Sequence, residues 1–183
     1  MKVDINIWYT DQQTLVSTYT EGTHTVNFIM ALLEKGVMHK PLIVLLKKLL
    51  KLKNYNNKYD GGLSSYAIVL MVDAYLCTYG PFKSCAEALL GFLKFYWKDM
   101  DYCRYGVAFN SMSMSYVMMA PSTTLRPQFV IIDPLDPMSI VTQSTFRYEE
   151  IREYFGALYQ KIIEMLEQEH PERVLKIIYT SFK

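Results

Sequence analysis

The sequence predicts a mainly α-helical α+β protein, and three features carry that prediction. Apolar residues recur at three- and four-residue spacing through most of the chain after Gly22. An alternating segment, Lys2 to Tyr9, precedes them, and short β-type runs interrupt them between Val107 and Ile132. A composition of 51% hydrophobic and 20% charged residues over 183 positions supplies one sizeable core and excludes a disordered chain.

In the opening segment Val3, Ile5 and Ile7 point one way and Asp4 and Asn6 the other, a strand whose partners must come from elsewhere. Thr10 to Gly22 is polar and reads as a turn. Phe28, Ile29, Leu32 and Leu33 then mark a helix from about Thr25 to Glu34, stopped by Gly36. Pro41 sits in the first turn of the next helix, where a missing N–H costs nothing. That helix, LIVLLKKLLKLK, is apolar on almost every side and is expected at the centre of a helical cluster. NYNNKYDGG breaks it. LSSYAIVLMVDAYLCTYG follows; its β-branched content alone suits a strand, but its length and Gly80 favour a helix. Ser84 and Glu87 have the form of a capping box, opening a helix through Ala88, Leu89, Phe92, Leu93 and Tyr96. VAF, SYVMM and QFVII read as short strands. The last long helix, about Tyr148 to Glu169, carries Ile151, Phe155, Leu158, Ile162 and Leu166 on one stripe, and Pro171 restarts the chain for a short final helix.

A net charge of +1 excludes a global cationic coat, so any polyanion site must be local. Seven lysines and no acid lie between Lys35 and Lys58, against seven glutamates with Arg152 and Lys161 between Glu149 and Glu172. Two solvated helix faces explain that split as well as a function does. Cys77, Cys85 and Cys103 share no ligand spacing with His24, His39 and His170, which points to reduced thiols in an intracellular protein of cytoplasm or nucleus. No apolar run reaches bilayer length, and acids come too early for a secretory signal, so no membrane partner is expected. Nucleophile-elbow, HExxH and CxxC patterns are missing, which removes serine hydrolase, zincin and thioredoxin chemistry.

Four constellations could carry chemistry. Lys47 and Lys51 share a helix face, with Lys40 near it; a triphosphate would satisfy them as point charges, and ordinary surface lysines explain them nearly as well. In YDGGLSSY, tandem glycines allow close backbone approach before a helix start, where Ser64 and Ser65 can face an anion and Tyr66 can stack on a base. The alternative is a glycine turn, a serine cap and a core tyrosine. Asp4 on the exposed side of a strand can hold a divalent ion, though one aspartate is not a two-metal site; Asp99 and Asp101 have DxD spacing. In FVIIDPLDP an apolar strand delivers Asp133 into a proline-bounded turn, to cap local N–H groups or face a ligand. QSTFR could then turn Arg147 back toward that loop.

Taken in order, KVDINI, EGTHTVNFI, PLIVLLKKLLKLKNYNNKYDGGLSSYAIVLM, LLGFLKFYWKDMDY and FVIIDPLDPMSIVTQSTFRYEEIREYF resemble the non-canonical poly(A) polymerases and terminal uridylyltransferases of the polymerase-β-like superfamily. The likeness runs from Lys2 to about Ile163. It implies a residual palm strand and linker over 1–22 and a helical central domain over 23–183, with short strands at about 107–132. It implies an enzyme that adds AMP from ATP to RNA 3′ ends with Mg2+, Mn2+ being an alternative; UTP addition or a catalytically dead module are the other readings. By resemblance Asp4 is the third palm carboxylate, which readies the primer hydroxyl. Lys47 and Lys51 contact the phosphates with Ser65, and Tyr66 stacks on the base. Thr25 lies near the ribose, Asp133 and Asp136 frame the base, and Ser139 stands where relatives read the base edge with asparagine or histidine.

The family's first two carboxylates follow a glycine-serine motif upstream, and nothing before Lys2 but Met1 can supply them. Asp99 and Asp101 fall in a region the resemblance makes ordinary. The sequence alone is therefore expected not to extend RNA. The RNA 3′ end is the expected partner, with a separate palm segment or an RNA-binding protein as the other.

Overall fold

The computed structural model describes residues 12–109, 114–118 and 128–167. Within them the protein is mostly helical with a small β component, as its periodicity predicts. The Lys2–Tyr9 segment with Asp4, and the helix expected after Pro171, lie outside the described residues.

Helix α1 runs from Gln12 to Glu34. The turn-like reading of Thr10–Gly22 is thereby corrected from Gln12 onward, Thr10 and Asp11 lying outside the described residues. Gln, Leu and Glu in that stretch are good helix formers, and one glycine costs a long helix only about 1 kcal/mol. Helix α2, His39–Leu52, buries Leu42, Ile43, Leu46, Leu49 and Leu50. It is not apolar all round, because Lys47, Lys48 and Lys51 hold one face in water together with Val44 and Leu52. Helix α3, Ser65–Tyr79, is buried without a break from Ala67 to Tyr75. Its start is fixed by Ser64, whose Oγ accepts from the Ala67 N–H at 3.0 Å.

Helix α4, Cys85–Lys94, is capped by Ser84 Oγ, which accepts from the Glu87 N–H at 3.1 Å. The Glu87 carboxylate reaches the Lys83 N–H at 2.7 Å, one residue before the one a capping box would use. One π turn, Phe95–Asp99, continues the helix, with the Met100 N–H donating to Phe95 O at 2.9 Å. That turn presents the Trp97 carbonyl to Arg152 Nε at 2.7 Å and so ties α4 to α5, Tyr148–Glu167. Ile151, Phe155 and Ile162 of α5 are buried, while Leu166 is exposed because the stripe runs past the core.

An aromatic cluster fills the space between α3, α4 and α5. Phe92 lies 4.6 Å from Tyr96 and 5.8 Å edge-on from Phe155. Tyr96 has no exposed surface and donates its hydroxyl to Met71 O at 3.0 Å, so burying it leaves no polar atom unsatisfied.

Strand β1, Tyr105–Phe109, pairs antiparallel with β2, Met114–Met118, Val107 facing Tyr116. The third expected strand, QFVII, is reduced to isolated bridges, Val107 with Ile131 and Ile132 with Ile140. Thr142 is the reason. Its Oγ1 accepts from the Ile131 N–H at 3.1 Å and donates to Phe129 O at 2.6 Å, occupying groups a ladder would need.

A strap from Tyr55 to Leu63 links α2 to α3, and its glycines are required by space. Gly61 has φ 77°, and a Cβ there would meet the Phe146 ring at 2.5 Å. A Cβ on Gly62 would overlap the Tyr55 carbonyl oxygen. The same strap is tied by Leu63 N–H to Tyr55 O at 2.8 Å and by Thr145 Oγ1 to Gly62 O at 3.2 Å. Gly62→Ala must therefore move backbone rather than a side chain, and is expected to destabilise the protein by about 1–3 kcal/mol. Urea unfolding of both proteins measures this, and equal midpoints would contradict it.

Candidate functional site

The loop after Ile132 folds on itself. Asp133 Oδ1 accepts from the Leu135 N–H at 2.9 Å, Asp136 Oδ1 accepts from the Met138 N–H at 3.1 Å, and the Asp133 N–H donates to Ser139 O at 2.9 Å. These Asx-type turns close the segment into a cup. Facing the cup is α1, and together they enclose a cavity of about 450 Å³ lined by His24, Thr25, Asp133, Leu135, Asp136 and Ser139. That volume lies within the range of small-molecule sites.

Tyr66, in the first turn of α3, donates its hydroxyl to Asp133 Oδ1 at 2.9 Å. Burial, then the hydrogen bond and charge of Asp133, push its phenol well above the ordinary range, so it remains a donor at any physiological pH. The bond joins the GGLSSY segment to the cup across 67 positions of sequence.

Four of the residues named from the sequence, Thr25, Asp133, Asp136 and Ser139, thus share one cavity, and Tyr66 is bonded to its wall. Lys47 and Lys51 stand on the solvent face of α2 and do not line it. Ser65 is exposed at the first position of α3, beside the cap Ser64. Arg147 does not turn back toward the cup. Its guanidinium pairs with Glu150 at 2.7 Å and lies 4.5 Å from the Tyr55 ring, nearer partners than Asp133. Asp99 pairs with Lys94 and Asp101 with Arg104, which gives both acids local roles. His24 and Leu135 were not singled out from the sequence; their adjacency to Thr25 and Asp136 is the signal that pointed to them.

No family model matches the sequence. Poly(A) RNA polymerase protein 1 of Saccharomyces cerevisiae is 22% identical over 79% of this chain and 24% of its own length. The inactive non-canonical poly(A) RNA polymerase protein Trf4-2 of Drosophila melanogaster is 25% identical over 80% of this chain and 40% of its own. Poly(A) RNA polymerase gld-4 of Caenorhabditis elegans is 24% identical over 78% of this chain and 19% of its own. The polymerase core of TRAMP, an RNA surveillance complex, superposes with a TM-score of 0.72 at 19% identity, covering 80% of this chain and 49% of that one. These matches bear out the resemblance of the chain to the non-canonical poly(A) polymerases and terminal nucleotidyltransferases. The chain spans well under half the length of these curated relatives.

The family relation raises the question of magnesium. Among the described residues, no group of three ligating side chains converges on the cavity. Asp133 and Asp136 each have an oxygen committed to loop N–H groups, and Asp133 also receives Tyr66. The described residues around the cavity therefore do not by themselves bring together three ligands for a divalent ion. Among them no helix is long and apolar enough to cross a membrane.

One cluster escaped sequence reasoning. Asp73, fully buried on α3, receives Lys35 Nζ on both oxygens at 3.0 and 3.1 Å and lies 3.1 Å from His39 Nε2, with Cys77 Sγ at 3.7 Å. His39, Asp73 and Cys77 are close enough to ligate one ion. However, the Lys35 ammonium already covers both carboxylate oxygens, and burial with the Asp73 charge pushes the Cys77 thiol up, away from thiolate. The cluster is an ion-pair clamp on α1, α2 and α3. Its signal in the sequence was one acid inside AIVLMVDAYL.

Burial pushes the Asp73 carboxyl up, but hydrogen bonds from His39 and Lys35 and the Lys35 charge outweigh it and hold the group below its ordinary 3.8. With the folded value below the unfolded one, the clamp's contribution is complete above the unfolded value and disappears as pH falls through the folded value. Asp73→Asn is expected to cost about 2–4 kcal/mol at neutral pH, since it leaves Lys35 and His39 without their carboxylate. Denaturant melts at neutral pH and near pH 3 test this. The gap between the two proteins must narrow in acid, and a gap independent of pH would contradict the assignment.

Proposed function

We propose that this chain forms the nucleotide-holding part of an RNA nucleotidyltransferase that adds AMP from ATP to RNA 3′ ends. The observation that supports this most is the convergence of Thr25, Asp133, Asp136 and Ser139 on one cavity, with Tyr66 bonded to its wall. The resemblance names those residues for a nucleotide, and they come from segments far apart in sequence.

The chemistry of the cavity agrees with a division of labour along the nucleotide. Two carboxylates repel a triphosphate but accept from ribose hydroxyls and from the exocyclic amine or ring N–H of a base. The sugar and base therefore occupy the cavity, and the phosphates extend toward cations, for which Lys47, Lys51 and the hydroxyl of Ser65 are assigned. The protonated Tyr66 phenol holds Asp133 in place and leaves its ring beside the base. The Mg2+ or Mn2+ and the transfer step are assigned to Asp4 and the other palm carboxylates, with Lys2–Tyr9 as a palm strand. Ser139 offers one hydroxyl to the base edge and discriminates adenine from uracil weakly, so ATP preference follows from the branch of relatives alone.

A second reading has one specific observation in its favour. A relative of similar identity, Trf4-2, carries the description inactive. On that reading the cavity still binds nucleotide and no transfer follows.

Equilibrium binding of ATP, UTP and adenosine separates these proposals from a purely structural role. Replacing Lys47 and Lys51 together by alanine is expected to weaken ATP about ten- to a hundredfold and adenosine hardly at all. Equal losses for both ligands would remove the phosphate role. Incubating the protein with a labelled oligoribonucleotide, ATP and magnesium, with and without an added family palm segment, then distinguishes the enzyme from the inactive relative. AMP addition lost in Asp4→Asn supports the enzyme, and no addition under any condition supports the second reading.

A further inference from the structure

The strap and the loop before α5 meet in a second cleft, of about 410 Å³, lined by Lys58, Tyr59, Ser144 and Phe146. Its two rings are largely exposed: Tyr59 is 78% and Phe146 74% in water. Single exposed apolar side chains are ordinary, but two large rings gathered in one cleft are the kind of feature a binding partner uses. Lys58 lies over the Tyr59 ring and the backbone of Gly61 lies against Phe146, yet most of each ring remains exposed.

The cleft is held in shape by backbone. Gly61, at φ 77°, leaves no Cβ to collide with the Phe146 ring, and the Arg147 N–H donates to Gly61 O at 3.2 Å. Asn57 caps the turn by accepting from the Tyr59 N–H at 3.1 Å. Both aromatic residues therefore project from fixed positions, which lowers the entropy lost when something stacks on them.

The charge around the rings selects the occupant. Lys58 Nζ lies 5.1 Å from the Tyr59 ring centroid, and among the described residues no carboxylate pairs with it. Of the nearby acids, Glu150 is paired with Arg147, and Asp60 is turned to the Asn57 amide at 2.6 Å. Lys53, exposed just after α2, adds positive charge where the strap begins. Exposed rings beside cations that no carboxylate pairs suit a polyanion that carries flat bases. We infer that the Lys58–Tyr59–Ser144–Phe146 cleft is a stacking subsite for single-stranded RNA, separate from the nucleotide cavity, with a base against the rings and its phosphate at Lys58. This rests on the reading of RNA as the substrate and adds where the strand is gripped.

The test is fluorescence anisotropy of a labelled adenosine-rich oligoribonucleotide with the full chain, ATP binding being measured on the same samples. Tyr59→Ala and Phe146→Ala are expected to weaken the oligonucleotide about 5- to 100-fold, with ATP affinity unchanged. Tyr59→Leu and Phe146→Leu should lose as much, because they keep apolar area and lose the π face, whereas Tyr59→Phe and Phe146→Tyr should stay near wild type. Photocrosslinks from 5-iodouridine in the same oligonucleotide should map to Tyr59 or Phe146. Alanine variants that bind RNA normally, leucine variants that behave as wild type, crosslinks confined to other residues, or a wild-type chain that binds no RNA would each overturn the inference. The leucine result would instead indicate a protein partner. If the wild type binds RNA through these rings but not ATP, the nucleotide-cavity reading fails and the subsite stands.

Discussion

The whole arrangement turns on the burial of α3. From Ala67 to Tyr75 this helix has no water-facing side, so each polar group it carries must be met by a neighbour. Asp73 is the severest case. A lone carboxylate in that environment would cost several kcal/mol, and the Lys35 and His39 side chains that offset it fix the end of α1 and the start of α2 against the helix. Ser64 resolves the N-terminus in the same way, by capping Ala67.

Those attachments decide where the candidate site falls. The Lys35 bond holds α1, which carries His24 and Thr25, while Tyr66 in the first turn of α3 holds the Asp133 cup. A cavity between α1 and the cup is thus formed by two elements that are each bonded to one buried helix. At 19% identity the fold still superposes on the TRAMP polymerase core with a TM-score of 0.72.

Helices α2 to α5 were legible because their periods, caps and stops agree with one another: Ser64, Ser84, Gly36 and Gly80 each stand at a helix boundary. The reach of α1 back to Gln12 was not, since its first turns are polar and contain Gly22. The loss of QFVII as a strand was equally hidden, because it depends on Thr142, ten residues beyond the segment, competing for a ladder hydrogen bond. In the site, Asp133 and Tyr66 could be named from GGLSSY and IIDPLDP, but their hydrogen bond is a tertiary fact. Local spacing also gave no hint that Arg147 would prefer Glu150 and Tyr55 to the cup. Asp73 illustrates the general limit: one acid in an apolar run announces that a partner exists, without saying which cation supplies it.

The central claim is that a nucleotide's sugar and base occupy the cavity between α1 and the Asp133–Ser139 cup. Amide chemical-shift mapping by NMR, with ATP added to isotopically labelled protein, addresses it most directly. The account predicts the largest shifts at Thr25, Tyr66 and Asp133 through Ser139, with smaller ones near Lys47, Lys51 and Ser65. Saturable shifts confined to the α4–α5 surface or to the Lys58–Phe146 cleft, with the cup unchanged, would contradict it.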